Sequence, residues 1–390
     1  MNFFTNHNQQ TIYMEANCFE QLPFLLEKLS FETLFLVTGQ RSFQQAAIQN
    51  VIIPLQKKYL TIHFFEFSRN PQILDIKKGV NYIRHAKKPI IVAIGGGSVL
   101  DMAKLIRFFS AQLFSIEEFF SSNFSHIIKK DFPNLIAVPT TAGTGSEVTQ
   151  FATLYINGIK HSVDTSSILP TIALIDANLT LELPAKETAE SGMDALCQAI
   201  ESYWNINATD ASRLFAMKAI RILHENIKEV VCKPSLENRS LMMKGAYLAG
   251  CAINYTRTTA AHALSYPLTS RFSIAHGQAV SISIPWFFEY NYAVNDNDIL
   301  DSRGVNAVKK TLDEIIYLLG YSSASEACLG LINLMKHIGL KTTLKELGIY
   351  PHHWNNIIQE GFNPERVKNN PRRLDKDQLY SLFKKIDGNN

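Results

Sequence analysis

Through the first half of the chain, short runs that are apolar at every position alternate with stretches of helical spacing. The runs Leu34–Thr38, Thr61–Phe65, Ile90–Ile94, Leu135–Val138 and Ile172–Ile175 read as strands, and four of them stop at Gly39, Gly95, Pro139 and Asp176. A strand buried on both faces gives such a continuous run, and a parallel sheet covered by helices buries both faces. Strands alternating with helices predict a doubly wound α/β unit. After Leu183-Pro184 the pattern changes. Helical spacing covers Glu187–Trp204, Ala211–Val231, Leu241–Tyr255, Val305–Leu319, Ser325–Ile338 and Gln378–Ile386, and strand runs become rare. The expected fold class is therefore an α/β domain over residues 1–180 followed by an all-α domain over 181–390. The polar tail after Ile386 is expected to fray.

Two loops carry chemistry. Ile90–Ile94 runs into Gly95-Gly96-Gly97-Ser98, a tight turn opening a helix that Ser98 is expected to cap, with Asp101 in its first turn. Glycines allow close backbone approach, and a helix N-terminus offers free N–H groups to a diphosphate. The second loop, Pro139-Thr140-Thr141-Ala142-Gly143-Thr144-Gly145-Ser146-Glu147, also follows a strand and is rich in hydroxyls. Two such loops on one sheet predict a nucleotide across its carboxyl edge. Each loop on its own also fits a plain turn.

Composition narrows the class. Of 390 residues 46% are hydrophobic and 19% charged, as in globular proteins, and a net charge of +3 without a basic stripe argues against nucleic acid. Five scattered cysteines without a CxxC pair predict a reducing, cytoplasmic setting. The opening MNFFTNHNQQ is not read as a signal peptide, and no apolar run is long enough to span a membrane.

A metal constellation is the third element. Asp194 and Gln198 lie four apart on one predicted helical face, and His262 and His276 follow downstream. Carboxylate and imidazole suit zinc or ferrous iron. Spacing alone leaves each histidine open to a core or surface role.

Taken together, Gly95-Gly96-Gly97-Ser98-x-x-Asp101-x-x-Lys104, the loop 139–147, Gly192-Met193-Asp194-Ala195 and the His262/His276 pair resemble, in order and spacing, the iron-containing (group III) alcohol dehydrogenase family. The resemblance spans nearly the whole chain. It implies a Rossmann-like dinucleotide-binding domain followed by a helical metal-binding domain. It places the metal on Asp194, Gln198, His262 and His276. It places NAD(P)H along Gly39, Gly95, Gly96, Gly97, Ser98, Asp101, Thr140, Thr141, Thr144, Ser146, Thr149 and Lys160. The stretches Glu147–Thr153, Met193–Trp204 and Ala261–Ser270 are most similar to the phosphonoacetaldehyde reductases, which form 2-hydroxyethylphosphonate.

Three departures from the family pattern stand out. The second metal position, usually histidine, is Gln198, a poorer ligand. Tyr266 stands where many members carry a cleft histidine, as a proton relay or an aromatic wall. The turn Val37-Thr38-Gly39-Gln40-Arg41-Ser42 lacks the acid that binds the NAD ribose, so Arg41 is read as a 2′-phosphate partner or a surface charge.

The implied reaction is metal-assisted reduction of an aldehyde, with His262 and Tyr266 as the catalytic pair and Fe2+ or Zn2+ as the metal. A phosphonate dianion needs a cation. Arg257 is the first choice and Lys160 the second, ahead of His161 and Arg271. Relatives imply a homodimer. The rival readings are a broad alcohol dehydrogenase on uncharged substrates, a dehydroquinate-synthase-like lyase, and a non-enzymatic protein with a decayed metal site.

Overall fold

The computed structural model describes residues 3–5, 10–121, 131–361 and 364–388. The chain divides into two compact units, residues 1–141 with 146–182, and residues 142–145 with 183–390. The first holds the strands β1 (Phe3–Thr5), β2 (Thr11–Met14), β3 (Thr33–Thr38), β4 (Leu60–Phe64), β5 (Pro89–Gly95), β6 (Leu135–Pro139), β7 (Phe151–Ile156), β8 (Ile159–Asp164) and β9 (Ile172–Ile175). Seven of them form one sheet in the order β1-β2-β9-β6-β5-β3-β4. All neighbours are parallel except β1 on β2. Central β3 and β6 are buried at every position. Apolar clusters cover both faces, one including Phe35, Ile91 and Phe108, the other Leu36, Val92 and Ile136.

The chain steps from β3 outward to β4, then returns to place β5 on the other side of β3 and continues to β6 and β9. Its direction therefore reverses between β3 and β5, and open parallel sheets bind ligands outside the carboxyl ends of the strands at such a point. The Gly39 and Gly95 turns lie there.

The second unit is helical among its described residues. Its longest helices are Ala185–Trp204, Asp210–Cys232 and Leu236–Thr256. The fold class read from the hydrophobic pattern is the one observed, and the five expected strands and six expected helices are present with ends shifted by a few residues.

Some local expectations need correction. Ser98 does not cap the glycine helix: Gly96 is the cap residue, the helix is Gly97–Ser110, and Asp101 falls in its second turn. The hairpin β7–β8 was not expected. Its signal was Asn157-Gly158, whose φ values of 52° and 79° make the turn that matches strand twist. In the C-terminal tail, Asp387 accepts from the Lys345 N–H at 3.0 Å, so the chain is held at that point. Asn389 and Asn390 lie outside the described residues, as do most of the first nine residues, on which the signal-peptide reading rests.

Candidate active site

The helix Ala185–Trp204 is buried at every position from Gly192 to Trp204, so any charge there sits in the interior. Asp194, Gln198 and Glu201 follow one another at helical spacing on one stripe. They face the starts of two further helices, Ala260–Phe272 with His262 and His276–Ser281 with His276. Gly277 permits this approach. A Cβ on it would lie 1.7 Å from the Glu190 carbonyl oxygen and 3.2 Å from the Asp194 Cβ.

One ligand atom each of Asp194, His262 and His276 lies within 4.8 Å of the others. Asp194 Oδ1 is 3.5 Å from His262 Nε2 and 3.8 Å from His276 Nε2. The neighbours decide the tautomers. His262 Nδ1 meets the Glu201 carboxylate, which accepts only, so Nδ1 carries a proton and the neutral ring presents its lone pair at Nε2. Ser265 donates its one proton to the His262 carbonyl at 2.6 Å, so towards His276 Nδ1, 3.3 Å away, it accepts. His276 Nε2 is therefore also a lone pair. Gln198 donates its amide N–H to Asp194 Oδ2 at 3.3 Å, which leaves Gln198 Oε1 as a buried acceptor. Gln198 Oε1 and His262 Nε2 are buried and make no hydrogen bond among the described residues. Buried polar atoms are almost always satisfied. Three acceptor atoms within 4.8 Å of one another, with His262 Nε2 unsatisfied, fit a divalent cation with nitrogen and oxygen ligands.

Burial disfavours the His262 imidazolium, but with no cation beside them Glu201 and Asp194 outweigh it and lift the ring to about 9, so a cation that binds at Nε2 displaces a proton there. Burial alone would raise the Glu201 carboxyl, yet His262, Thr259 and the His262 backbone N–H hold it below its usual range. Two carboxylates on one imidazole are an excess of buried negative charge that a cation answers. His276 is the open side of the cluster, its side chain 30% exposed, and the Tyr266 ring lies over it at 6.5 Å and 24°.

In the α/β unit, Thr38↔Ile94 and Gly95↔Pro139 are in register, so the turns after β3, β5 and β6 stand side by side. Gly95 is forced by packing, since a Cβ would lie 2.5 Å from Val99 Cγ2. Gly96 brings no side-chain acceptor to the start of its helix, so the first N–H groups there are open to an anion or to water. Gly97, Ser98 and Thr141 are half-buried and Thr140 is buried. Gly39 begins the short helix Gln40–Phe43, on which Arg41 is exposed.

Farther along the glycine helix, Asp101 and Lys104 fasten the hydroxyl loop. Asp101 accepts from Ser146 Oγ at 2.6 Å and from the Thr153 N–H at 2.9 Å. Lys104 Nζ, wholly buried, donates to the Thr149 carbonyl at 2.9 Å, the Thr149 hydroxyl at 3.2 Å and the Phe151 carbonyl at 3.0 Å. Burial pushes Lys104 down to about 8 and the neighbouring Glu147 up to about 7. It also raises the Asp101 carboxyl, against the charges of Lys104 and Lys160. Asp101, Ser146 and Thr149 are thus bonded to protein groups, and Lys160 lies on β8 beside Asp101. Half-buried Thr144 belongs with the helical unit, in a segment seated by Gly143 against Ser191 and by Gly145, at φ +62°, against Gly250.

Among the proposed anion partners, Arg271 forms an exposed ion pair with Glu360, and His161 packs on Phe120. Arg257 ends the helix Leu236–Thr256 at φ 65° and ψ −170°, a region otherwise nearly confined to glycine. Its guanidinium reaches the Ile253 and Asn254 carbonyls.

Glu201, Ser265 and Gly277 were not singled out from the sequence. Glu201 had a signal, a third polar residue on the stripe of Asp194 and Gln198 in a largely apolar stretch of helix, and such groups are buried only when paired.

Profiles of one family match the chain from end to end: "Iron-containing alcohol dehydrogenase" over residues 9–177 and "Fe-containing alcohol dehydrogenase family, C-terminal" over 188–386. A phosphonoacetaldehyde reductase of Streptomyces viridochromogenes is 31% identical over 310 residues, covering 77% of each chain. A long-chain-alcohol dehydrogenase of Geobacillus thermodenitrificans is 28% identical over 354 residues, 89% of this chain and 87% of its own. The crystal structure of sulfoacetaldehyde reductase from Bifidobacterium kashiwanohense with NAD+ has the same fold, with a TM-score of 0.85 at 24% identity and full coverage of both chains. The chain belongs to the iron-containing alcohol dehydrogenase family and is an NAD(P)-linked alcohol/aldehyde oxidoreductase of the kind that works with a divalent metal.

Proposed function

We propose that the protein reduces an aldehyde to a primary alcohol, and that its substrate is phosphonoacetaldehyde. The observation that carries the reductase reading is the convergence of Asp194, His262 and His276, with the Nδ1 of each imidazole engaged by Glu201 or Ser265. In this reading those three residues and Gln198 hold Zn2+ or Fe2+, all but His276 from buried positions. The metal supplies Lewis-acid polarisation of the carbonyl and the nicotinamide supplies hydride. Glu201 and Ser265 keep the Nδ1 protons of His262 and His276 in place, so neither ring turns a proton towards the substrate. In this reading Tyr266, whose ring lies over His276, gives its hydroxyl proton to the product oxygen. The turns at Gly39, Gly95–Gly97 and Thr140–Thr144 receive the cofactor backbone, with Ser98, Asp101, Ser146, Thr149 and Lys160 binding it or fixing those turns. An exposed Arg41 and the missing acid favour NADPH.

The phosphonate assignment is supported by the 31% identical relative, and in it Arg257 is the cation that meets the phosphonate. The rival reading, an enzyme for uncharged alcohols, is favoured by the relative that matches more of the chain. Steady-state assays of phosphonoacetaldehyde against butanal decide between them. Arg257→Gly should raise KM for the phosphonate at least tenfold more than for butanal. Equal effects on both, or a wild type that prefers butanal, would overturn the phosphonate reading. A cytoplasmic homodimer belongs to the same proposal by family likeness, and sedimentation velocity tests the dimer. No described helix is long and apolar enough to cross a membrane.

A further inference from the structure

We propose that Glu201 is the positioning residue of the metal site, serving at once as the cap of the helix that carries His262 and as the anchor of its imidazole. The proposal rests on the metal reading above. The helix Ala260–Phe272 receives no side-chain cap from its own cap residue, Thr259. Glu201 Oε1 takes over that duty from another helix, accepting from the Ala261 N–H at 2.9 Å and the His262 N–H at 3.3 Å. These are the second and third N–H groups of the helix, the ones a cap side chain normally satisfies. The same oxygen accepts from the Thr259 hydroxyl at 2.7 Å, whose own oxygen accepts from Trp204 Nε1 at 3.1 Å. The other carboxylate oxygen, Oε2, takes His262 Nδ1. A negative charge at a helix N-terminus is further favoured by the helix dipole.

One carboxylate therefore sets where the His262 helix begins and which way its ring faces. It does so from the helix that bears Asp194 and Gln198. Glu201 itself is fully buried and is not among the cluster's ligands. It acts through His262.

A glutamine cannot repeat this. Its one oxygen can face the backbone N–H groups or the imidazole N–H, and its amide hydrogens then oppose the other set. An aspartate keeps the charge but is one methylene short, so it reaches only one of the two sets.

The test titrates Zn2+ by chelator competition into metal-free wild type, His262→Ala, Glu201→Gln and Glu201→Asp, with thermal unfolding of each metal-free protein. Wild type should bind one Zn2+ per chain, lost in His262→Ala. Glu201→Gln should bind about 10–100-fold more weakly, with Glu201→Asp between the two. Variants that lower the melting temperature but bind Zn2+ like wild type would overturn the positioning role, because Glu201 would then only support the fold. If Glu201→Gln does not fold, Glu201→Asp is judged by the same criterion. Wild type with no site sensitive to His262→Ala would refute the metal reading and this proposal with it, a result distinct from Glu201 failing alone.

Discussion

The two halves of the active machinery are built in opposite ways. The glycine turn is local: a strand, three glycines and a helix within a few residues, which offers mainly backbone to a ligand. The candidate metal cluster is assembled from three helices, with Asp194 and His276 more than eighty residues apart in the chain, joined by the close approach at Gly277 and the hydrogen bonds of Glu201. A local site shows itself in a stretch of sequence. A site made by packing shows only its ends.

This difference can be broken experimentally. The largest effect should come from His262→Ala, which removes a ligand from the cluster. Turnover should fall by about a thousandfold, as expected for losing several kcal/mol of Lewis-acid assistance at 1.36 kcal/mol per tenfold, while cofactor binding to the α/β unit persists. Loss of NAD(P)H binding in that variant would show that the two halves are not separable. Next comes Gly277→Ala. Its methyl would meet the Glu190 carbonyl, so His276 must move, and metal affinity should drop together with about 1–3 kcal/mol of stability. Chelator competition and denaturant unfolding measure both, and unchanged metal affinity would contradict the packing argument. Gly95→Ala is the mirror experiment. Val99 must give way, so cofactor KM should rise several-fold with metal content intact by elemental analysis.

The smallest effect is a pH dependence confined to the α/β unit. The Glu147 carboxyl is raised to about 7 by burial, so the folded chain holds its proton more tightly than the unfolded chain. That stability is fully present below the ordinary carboxyl range and is lost as pH rises through about 7. Glu147→Gln should flatten the stability profile between about pH 4.5 and 7, measured by urea unfolding. A variant that keeps the wild-type slope would show that Glu147 is not its source.

The same contrast explains what the sequence revealed. Strands β3, β5, β6 and β9 are legible because both faces are buried, which leaves no polar position to confuse the run. The edge strand β4, half exposed, was placed one residue late. Strand β2, as short as β9, is not legible because Thr11 and Tyr13 interrupt its apolar run and both its ends are half-buried. Asp194, Gln198, His262 and His276 became a set only through resemblance, since nothing in their spacing states that helix Ala260–Phe272 abuts helix Ala185–Trp204. Glu201 escaped because its role lies in accepting backbone N–H groups sixty residues away, which no residue type announces. Gln198 reads as a weak ligand in sequence. In the fold its amide N–H also steadies Asp194, a second role that only the side-chain geometry displays.

The central claim is that Asp194, His262 and His276 grip one divalent cation. Anomalous diffraction from crystals loaded with Zn2+ or Fe2+ tests it most directly. The account predicts a single peak about 2.0–2.2 Å from an Asp194 oxygen and from Nε2 of both histidines. A peak bound elsewhere, or well-ordered histidines with no peak at saturating metal, would contradict it.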